Sequence, residues 1–208
     1  MIESDLIRYA RQGDLEAFNS LVLTHQDSVY RQAHWMLGDP QAADDICQET
    51  FLRAYRKLSS FRDGSLRAWL LTIANRLCLD ELRRSKRRPA VPLELVGEDG
   101  VEYTPAEWDI DPAPSPEEQA EKSIHLQLIQ GCLERLTPEW RLIITLVDLQ
   151  GFDYAQTAEI LAIPLGTVKS RLARARRKLG QALLASGAMA ELSGALPDNP
   201  AHLSYGLT

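Results

Sequence analysis

Gly166-Thr167-Val168-Lys169-Ser170-Arg171-Leu172-Ala173-Arg174-Ala175-Arg176-Arg177-Lys178-Leu179 is the stretch whose reading decides the fold. Val168, Leu172, Ala175 and Leu179 recur at i, i+4, i+7 and i+11, which is one apolar stripe of a helix, and Thr167 suits its N-cap. Ser170, Ala173, Arg174 and Arg177 fall on the opposite face, with Lys169, Arg171, Arg176 and Lys178 on the flanks. Six of these residues are basic and none is acidic. Upstream, Tyr154, Ala158 and Leu161 mark a shorter helix, followed by the tight connection Ile163-Pro164-Leu165-Gly166. Two helices joined by a short turn, the second basic on its outer face, predict a helix-turn-helix that enters a DNA major groove.

Around this unit the chain reads as all-α. From the N-terminus to about Arg88 the pattern is helical throughout. Asp14 caps a helix containing Leu15, Phe18, Leu21, Val22, Val29, Ala33 and Leu37, and Gly38 ends it. Asp39-Pro40 supplies an N-cap and a first-turn proline for the next helix, with Ile46, Phe51, Leu52, Tyr55 and Leu58. After the turn Phe61 to Ser65, Leu66, Trp69, Leu70, Ile73 and Leu77 stripe a helix that runs into a dense basic end, Arg83 to Arg88. From Glu117 helices resume: Ile124, Leu128, Cys132 and Leu136 form one stripe. Thr137-Pro138 starts a further helix that ends at Gly151. The expected organisation is a domain over 1–88, a flexible acidic linker over 89–116, a helix-turn-helix domain over 117–185 and a frayed tail over 186–208.

The charge is segregated. The 208-residue chain carries a net charge of −6, which argues against a polyanion partner only if the charge is spread evenly. Ten of its 29 acidic residues lie between Glu94 and Glu121, a stretch without Lys or Arg; the 19 left elsewhere face 23 basic residues, a net of +4. Local field rather than total charge governs binding to DNA. Prolines 89, 92, 105, 112, 114 and 116 keep the acidic segment from building a core.

Other classes are disfavoured by what is missing. No apolar run approaches the ~20 residues of a membrane span, and Met1 to Asp5 do not open a signal peptide, so a cytoplasmic location without membrane insertion is expected. Cys47, Cys78 and Cys132 form no CxxC and fit small core positions. His25 and His34 share a helix without metal-ligand spacing and read as surface or interface residues. There is no Gly-rich phosphate loop and no nucleophile set beside a base. An enzyme is therefore not expected, nor is a metal or cofactor.

Two motifs carry a family resemblance. Asp44-Asp45-Ile46-Cys47-Gln48-Glu49-Thr50-Phe51-Leu52-Arg53-Ala54-Tyr55 resembles the region 2 signature of bacterial sigma factors, and Gly166 to Leu179 resembles their region 4 recognition helix. With these two domains alone, the chain resembles the extracytoplasmic-function (ECF) class over roughly Asp5 to Leu184. The resemblance implies a subunit that directs core RNA polymerase to promoter DNA in a stress or envelope response, under an anti-sigma protein, and that is monomeric when free. The competing reading is a stand-alone helix-turn-helix regulator whose first domain binds a ligand or partner.

The resemblance also places the sites. Asp45, Gln48 and Glu49 become the polymerase contacts; they stand at i, i+3 and i+4, on one helix face, where acceptors can meet partner arginines. The turn Phe61 to Ser65 matches the loop that captures a flipped −10 base, with Phe61, Asp63 and Ser65 as its candidate groups. Phe61 as a plain core anchor remains an equal alternative, and Trp69 reads as core. Arg76, Arg83, Arg84, Lys86, Arg87 and Arg88 fit the −10 backbone-binding surface. On the recognition helix Ser170 and Arg174 are expected to reach −35 base edges, and Lys169, Arg171 and Arg177 to hold phosphates. Two departures stand out: Ala173 on the reading face, where relatives often carry a larger side chain, and Thr157 at an apolar position of the preceding helix. Thr157 is expected to loosen packing slightly. The 28-residue linker reaches about 95 Å at ~3.4 Å per residue, enough for promoter elements ~17 base pairs, or about 58 Å, apart.

Overall fold

The computed structural model describes residues 2–62, 64–87 and 116–186, with backbone alone for 116–123. The acidic linker through 115, Asp63, Arg88 and the tail from 187 lie outside the described residues. Among those described, all regular structure is helical: α1 (Glu3–Arg11), α2 (Leu15–Leu37), α3 (Pro40–Lys57), α4 (Leu66–Arg87), α5 (Pro116–Glu134), α6 (Pro138–Ile144), α7 (Tyr154–Leu161) and α8 (Leu165–Ala185).

The helix boundaries follow from local chemistry. Asp14 accepts hydrogen bonds from the Glu16 and Ala17 N–H groups at 2.9 and 3.1 Å, satisfying two donors that α2 leaves orphaned. Gly38 closes α2 in the left-handed region at φ +77, a conformation that costs a residue with a Cβ. Asp39 caps α3 through Gln41 N–H at 2.9 Å, with Pro40 in the first turn. Ser65 Oγ accepts from Ala68 N–H at 3.2 Å at the start of α4. The short α1, with Glu3 and Asp5 in its first turn and Arg8 and Arg11 in its last, opposes charge to its dipole at both ends. It was folded into the general helical reading of the N-terminus; Gly13 at φ +94 breaks it from α2.

Three boundaries differ from expectation. Thr167 is not the N-cap of α8: the helix starts at Leu165 behind Pro164, whose carbonyl accepts from Thr167 and Val168 N–H groups at 2.8 and 3.1 Å. Proline's fixed φ already places the chain for helix entry, so Leu165 and Gly166 belong to the helix. The turn between α7 and α8 is made by Ala162 at φ 52. An L-residue there costs ~1–2 kcal/mol relative to right-handed backbone. Ala162→Gly is therefore expected to stabilise the fold by ~1 kcal/mol, read as a rise in the thermal midpoint. The helix expected to run from Pro138 to Gly151 gives way after Ile144 to a single π turn, Thr145–Leu149, closed by Gln150 N–H on Thr145 O at 2.9 Å. Thr145 Oγ1 bonds Leu142 O at 3.0 Å, a back-bond that bends helices. Finally, Ile124 is exposed rather than part of the buried stripe; Cys132 and Leu136 are the buried members.

Helices α2, α3 and α4 pack with α1 around Leu21, Val29, Ala33, Met36, Leu66 and Leu71. A second apolar cluster in the C-terminal helices holds Leu133, Leu136, Ile143, Ile144, Leu172 and Ala175. The two helix sets also touch. The first cluster continues into Leu142, Leu146, Phe152 and Ile160, so that α6, the π turn and α7 lie on α2 and α4. Polar groups bind this seam. Arg67 Nε donates to Ser28 Oγ at 2.8 Å, and its Nη2 donates to the Gln150 carbonyl at 3.0 Å and to Gln150 Oε1. Gln150 Nε2 donates to the Ser28 carbonyl at 2.8 Å. Gln32 Nε2 donates to Asn75 Oδ1 at 2.9 Å and across to Thr145 Oγ1 at 3.0 Å. The buried Arg141 guanidinium donates to the carbonyls of Leu133 (2.9 Å), Glu134 (2.8 Å) and Met36 (2.5 Å). One side chain thus satisfies C-terminal carbonyls of both α5 and α2. Burial lowers the pKa of Arg67 and of Arg141.

Candidate nucleic-acid interface

Three exposed helix faces bring the predicted residues into view. On α8 the apolar stripe is seated as expected, with Val168, Leu172 and Ala175 buried. That burial turns Lys169, Ser170, Ala173, Arg174 and Arg177 to solvent, with Arg171 half-buried beside them. Ser170 Oγ donates to Thr167 O at 3.1 Å, which keeps its hydroxyl close to the helix and leaves its acceptor lone pairs outward. Arg176 leaves this set: it makes a two-pronged pair with Asp148 (Nε 3.1 Å, Nη2 2.5 Å), and those bonds raise its pKa. It ties α8 to the π turn instead. The supporting α7 starts from a capping box, Asp153 with Gln156, the two reciprocal bonds measuring 2.8 and 3.1 Å. Thr157 is fully buried and donates to Asp153 O at 2.8 Å. Its hydroxyl is satisfied.

On α4, Arg76, Arg83, Arg84, Lys86 and Arg87 are exposed. Two of them are held within the helix, Arg83 by Asp80 at 3.1 Å and Arg84 by Glu81 at 2.6 Å. Such exposed pairs exchange partners at little cost, so phosphates can replace the carboxylates. Asp80 and Glu81 were not singled out from sequence, although their i,i+3 spacing to the arginines was there to be seen. At the head of the helix Phe61 is buried, its ring 5.3 Å from Trp69 and under the Arg11 guanidinium. Of the two readings of Phe61, the core anchor is the one its packing matches. Ser65 is exposed and its hydroxyl caps α4.

On α3, Asp45 and Gln48 are exposed and Glu49 is partly so, while Ile46, Thr50 and Phe51 face the core. Glu49 pairs with Arg53 at 2.6 Å. Asp45, Glu49 and Arg53 face Asp80, Glu81 and Arg84 across a groove of about 360 Å³ between α3 and α4. This is a surface furrow with charged walls.

The remaining candidates are structural. His25, expected at the surface, is buried, with Nε2 2.9 Å from Glu3 Oε2, because α1 folds over it. His34 is half-buried and stacked on Tyr30; burial lowers its pKa against the opposing pull of Asp39 and Glu134. Burial, with Asp44 and Asp27 nearby, pushes the Cys47 thiol up to about 11, and burial pushes Cys78 to about 12. Both are thus protonated at neutral pH, so iodoacetamide at pH 7.5 is expected to modify a free thiol standard far faster than either, as mass spectrometry would show. Among the described residues no group of three or more His, Cys, Asp or Glu is placed to hold a metal ion, and no helix is long and apolar enough to cross a membrane.

Comparison with known proteins decides the family. The Sigma-70 region 2 model matches residues 21–88, and the Sigma-70, region 4 model matches 126–179. The chain is 36% identical over 182 residues to the ECF RNA polymerase sigma factor SigM of Mycobacterium tuberculosis, covering 87% of this chain and 84% of that one. It belongs to the ECF sigma factors. A further relative, the ECF sigma factor SigE of Mycolicibacterium smegmatis, is 34% identical over 168 residues, which are 81% of this sigma factor but 62% of that longer protein. Among solved structures, the sigma factor RpoE in complex with the anti-sigma factor NepR, from Bartonella quintana, superposes with a TM-score of 0.58 at 29% identity, covering 80% of this chain and 96% of that one. The region 2 match spans the α3 and α4 faces of this sigma factor, and the region 4 match spans the α8 face.

Proposed function

We propose that this sigma factor divides its work along the boundaries expected from sequence. Residues 1–88 dock on core RNA polymerase and open the −10 element, residues 117–185 read the −35 element as duplex, and 89–116 connect them. Asp45, Gln48 and Glu49 supply acceptors for arginines of the polymerase. Ser65 and Asp63 line the capture site for an unstacked base, while Arg76, Arg83, Arg84, Arg87 and Arg88 run along the adjoining phosphates. Ser170 and Arg174 reach base edges in the major groove, flanked by Lys169, Arg171 and Arg177 on the backbone. Control by an anti-sigma protein and a cytoplasmic location belong to the same reading, supported by the likeness to the RpoE that was solved with NepR.

The observation that carries the proposal is the outward basic face of α8, with Lys169, Ser170, Arg174 and Arg177 all exposed on a helix whose other side is sealed in the core. Fluorescence anisotropy with labelled promoter DNA tests it. Tight, sequence-selective binding is expected with core polymerase present. Tight selective binding by the chain alone, unaltered by polymerase, would contradict it.

A further inference from the structure

The seam between the two helix sets has a composition unlike either core. Its bonds run through Ser28, Gln32, Arg67 and Asn75 on one side and Arg141, Thr145 and Gln150 on the other. Polar contact of this kind characterises domains that separate, rather than domains fused for good. Four buried side-chain atoms lack a hydrogen-bond partner among the described residues: Gln32 Oε1, Asn75 Nδ2, His34 Nδ1 and Gln130 Oε1. All four flank the seam: Gln32 and Asn75 at Thr145, His34 within the field of Glu134, and Gln130 against Gly38. Parting the helix sets would return each of them to water, which offsets the exposure of Leu71, Leu146, Phe152 and Ile160. The packing is also tight enough to be sensitive. A Cβ built on Gly38 would fall 2.0 Å from Glu134 Oε1.

The seam also fixes how far apart the DNA-facing helices lie. Helix α4 touches α7 and α7 touches α8. At ~8–10 Å per packed pair, the axes of α4 and α8 pass within roughly 20 Å of each other. The run along α4 from Arg67 to Arg84 adds only about 25 Å at ~1.5 Å per residue. Promoter elements ~17 base pairs apart are separated by about 58 Å. The closed packing falls short of that span, though the linker can reach it.

We propose that the packed arrangement is an autoinhibited resting state, and that the Arg67–Gln150–Ser28 cluster, with Gln32–Thr145, is the latch that must release before both promoter elements can be engaged. The inference rests on the promoter function proposed above. The seam face of α4, marked by Arg67 and Asn75, lies about half a turn round from Arg76. Closure therefore leaves each DNA face open and blocks only their joint use. Polymerase opens the latch by holding the two halves apart at the promoter spacing, and the seam sets how much of that binding energy is spent on opening.

Single-molecule energy transfer in the full chain tests this, with dyes on azido residues introduced at positions 59 and 181, both exposed. The free chain is expected to show one high-transfer population that moves to low transfer on binding core polymerase. Gln150→Ala strips Arg67 and Ser28 of their partner, and Thr145→Val removes the Gln32 acceptor while keeping side-chain volume. Each is expected to raise the open-to-closed ratio of the free chain about tenfold, and to speed holoenzyme assembly, with unchanged helicity as the check on folding. Equal transfer in the free and polymerase-bound chain overturns the resting state, and an unmoved ratio in both variants overturns the latch. Absence of any polymerase binding counts against the function instead, and the free-chain ratios still decide the latch.

Discussion

Replacing Arg174 with alanine is expected to weaken holoenzyme binding at its preferred −35 sequence by ~1–3 kcal/mol and to relax preference at one base position. Ser170 and Arg174 stand one turn apart near the middle of the exposed face of α8, above the buried Val168, Leu172 and Ala175. A guanidinium there can pair with guanine through two parallel bonds. Arg177 faces outward a turn further from the helix N-terminus, the end that usually enters the groove. Its loss is expected to weaken all sequences alike and to lower the slope of log K against log salt by about one. A −35 library bound at several salt concentrations separates the two. Uniform weakening by Arg174→Ala together with altered preference in Arg177→Ala would mean that α8 sits in the groove in a different register.

The second large effect lies on α3. Gln48→Ala with Glu49→Ala is expected to cost at least ~2 kcal/mol in association with core polymerase, about thirtyfold, with little change in thermal midpoint. The stability half of this expectation follows from exposure. Gln48 is solvent-facing, and the Glu49–Arg53 pair is at the surface, side chains 39% and 45% exposed. Exposed pairs of this kind contribute ~0–1 kcal/mol. The core under them, Ile46 and Phe51, is untouched. An association constant equal to that of the unaltered chain would remove both residues from the interface.

Much of this was legible because helix signals are local. Asp14, Asp39 and Gly38 announce the ends of α2 and α3 through bonds to residues two to four positions away, and the stripe Val168, Leu172, Ala175 needs only helical periodicity. The exposed faces then follow by complement, which is why Asp45, Gln48, Lys169, Ser170, Arg174 and Arg177 all reach solvent. Thr167 misled because a good capping residue sat one turn inside a helix that proline had already begun. The π turn at Thr145–Leu149 gives no periodic signal over so few residues. Arg67 and Arg141 were unreadable as structural residues, since nothing local distinguishes them from other helical arginines. Their partners are 83 and 105 positions away. The seam is a long-range fact, and a single sequence carries no record of which polar side chains meet across it.

Reconstituted transcription tests the central claim most directly. Core RNA polymerase, with and without this chain, is given a library of random upstream sequences, and transcript starts are sequenced. The account predicts specific starts only when the chain is present, preceded by two sequence elements about 17 base pairs apart. It also predicts that the preference at the upstream element changes in Arg174→Ala and that the starts are lost in Gln48→Ala with Glu49→Ala. Starts that are the same with and without the chain, alongside selective binding of the chain alone to one DNA element, would contradict it and favour a stand-alone regulator.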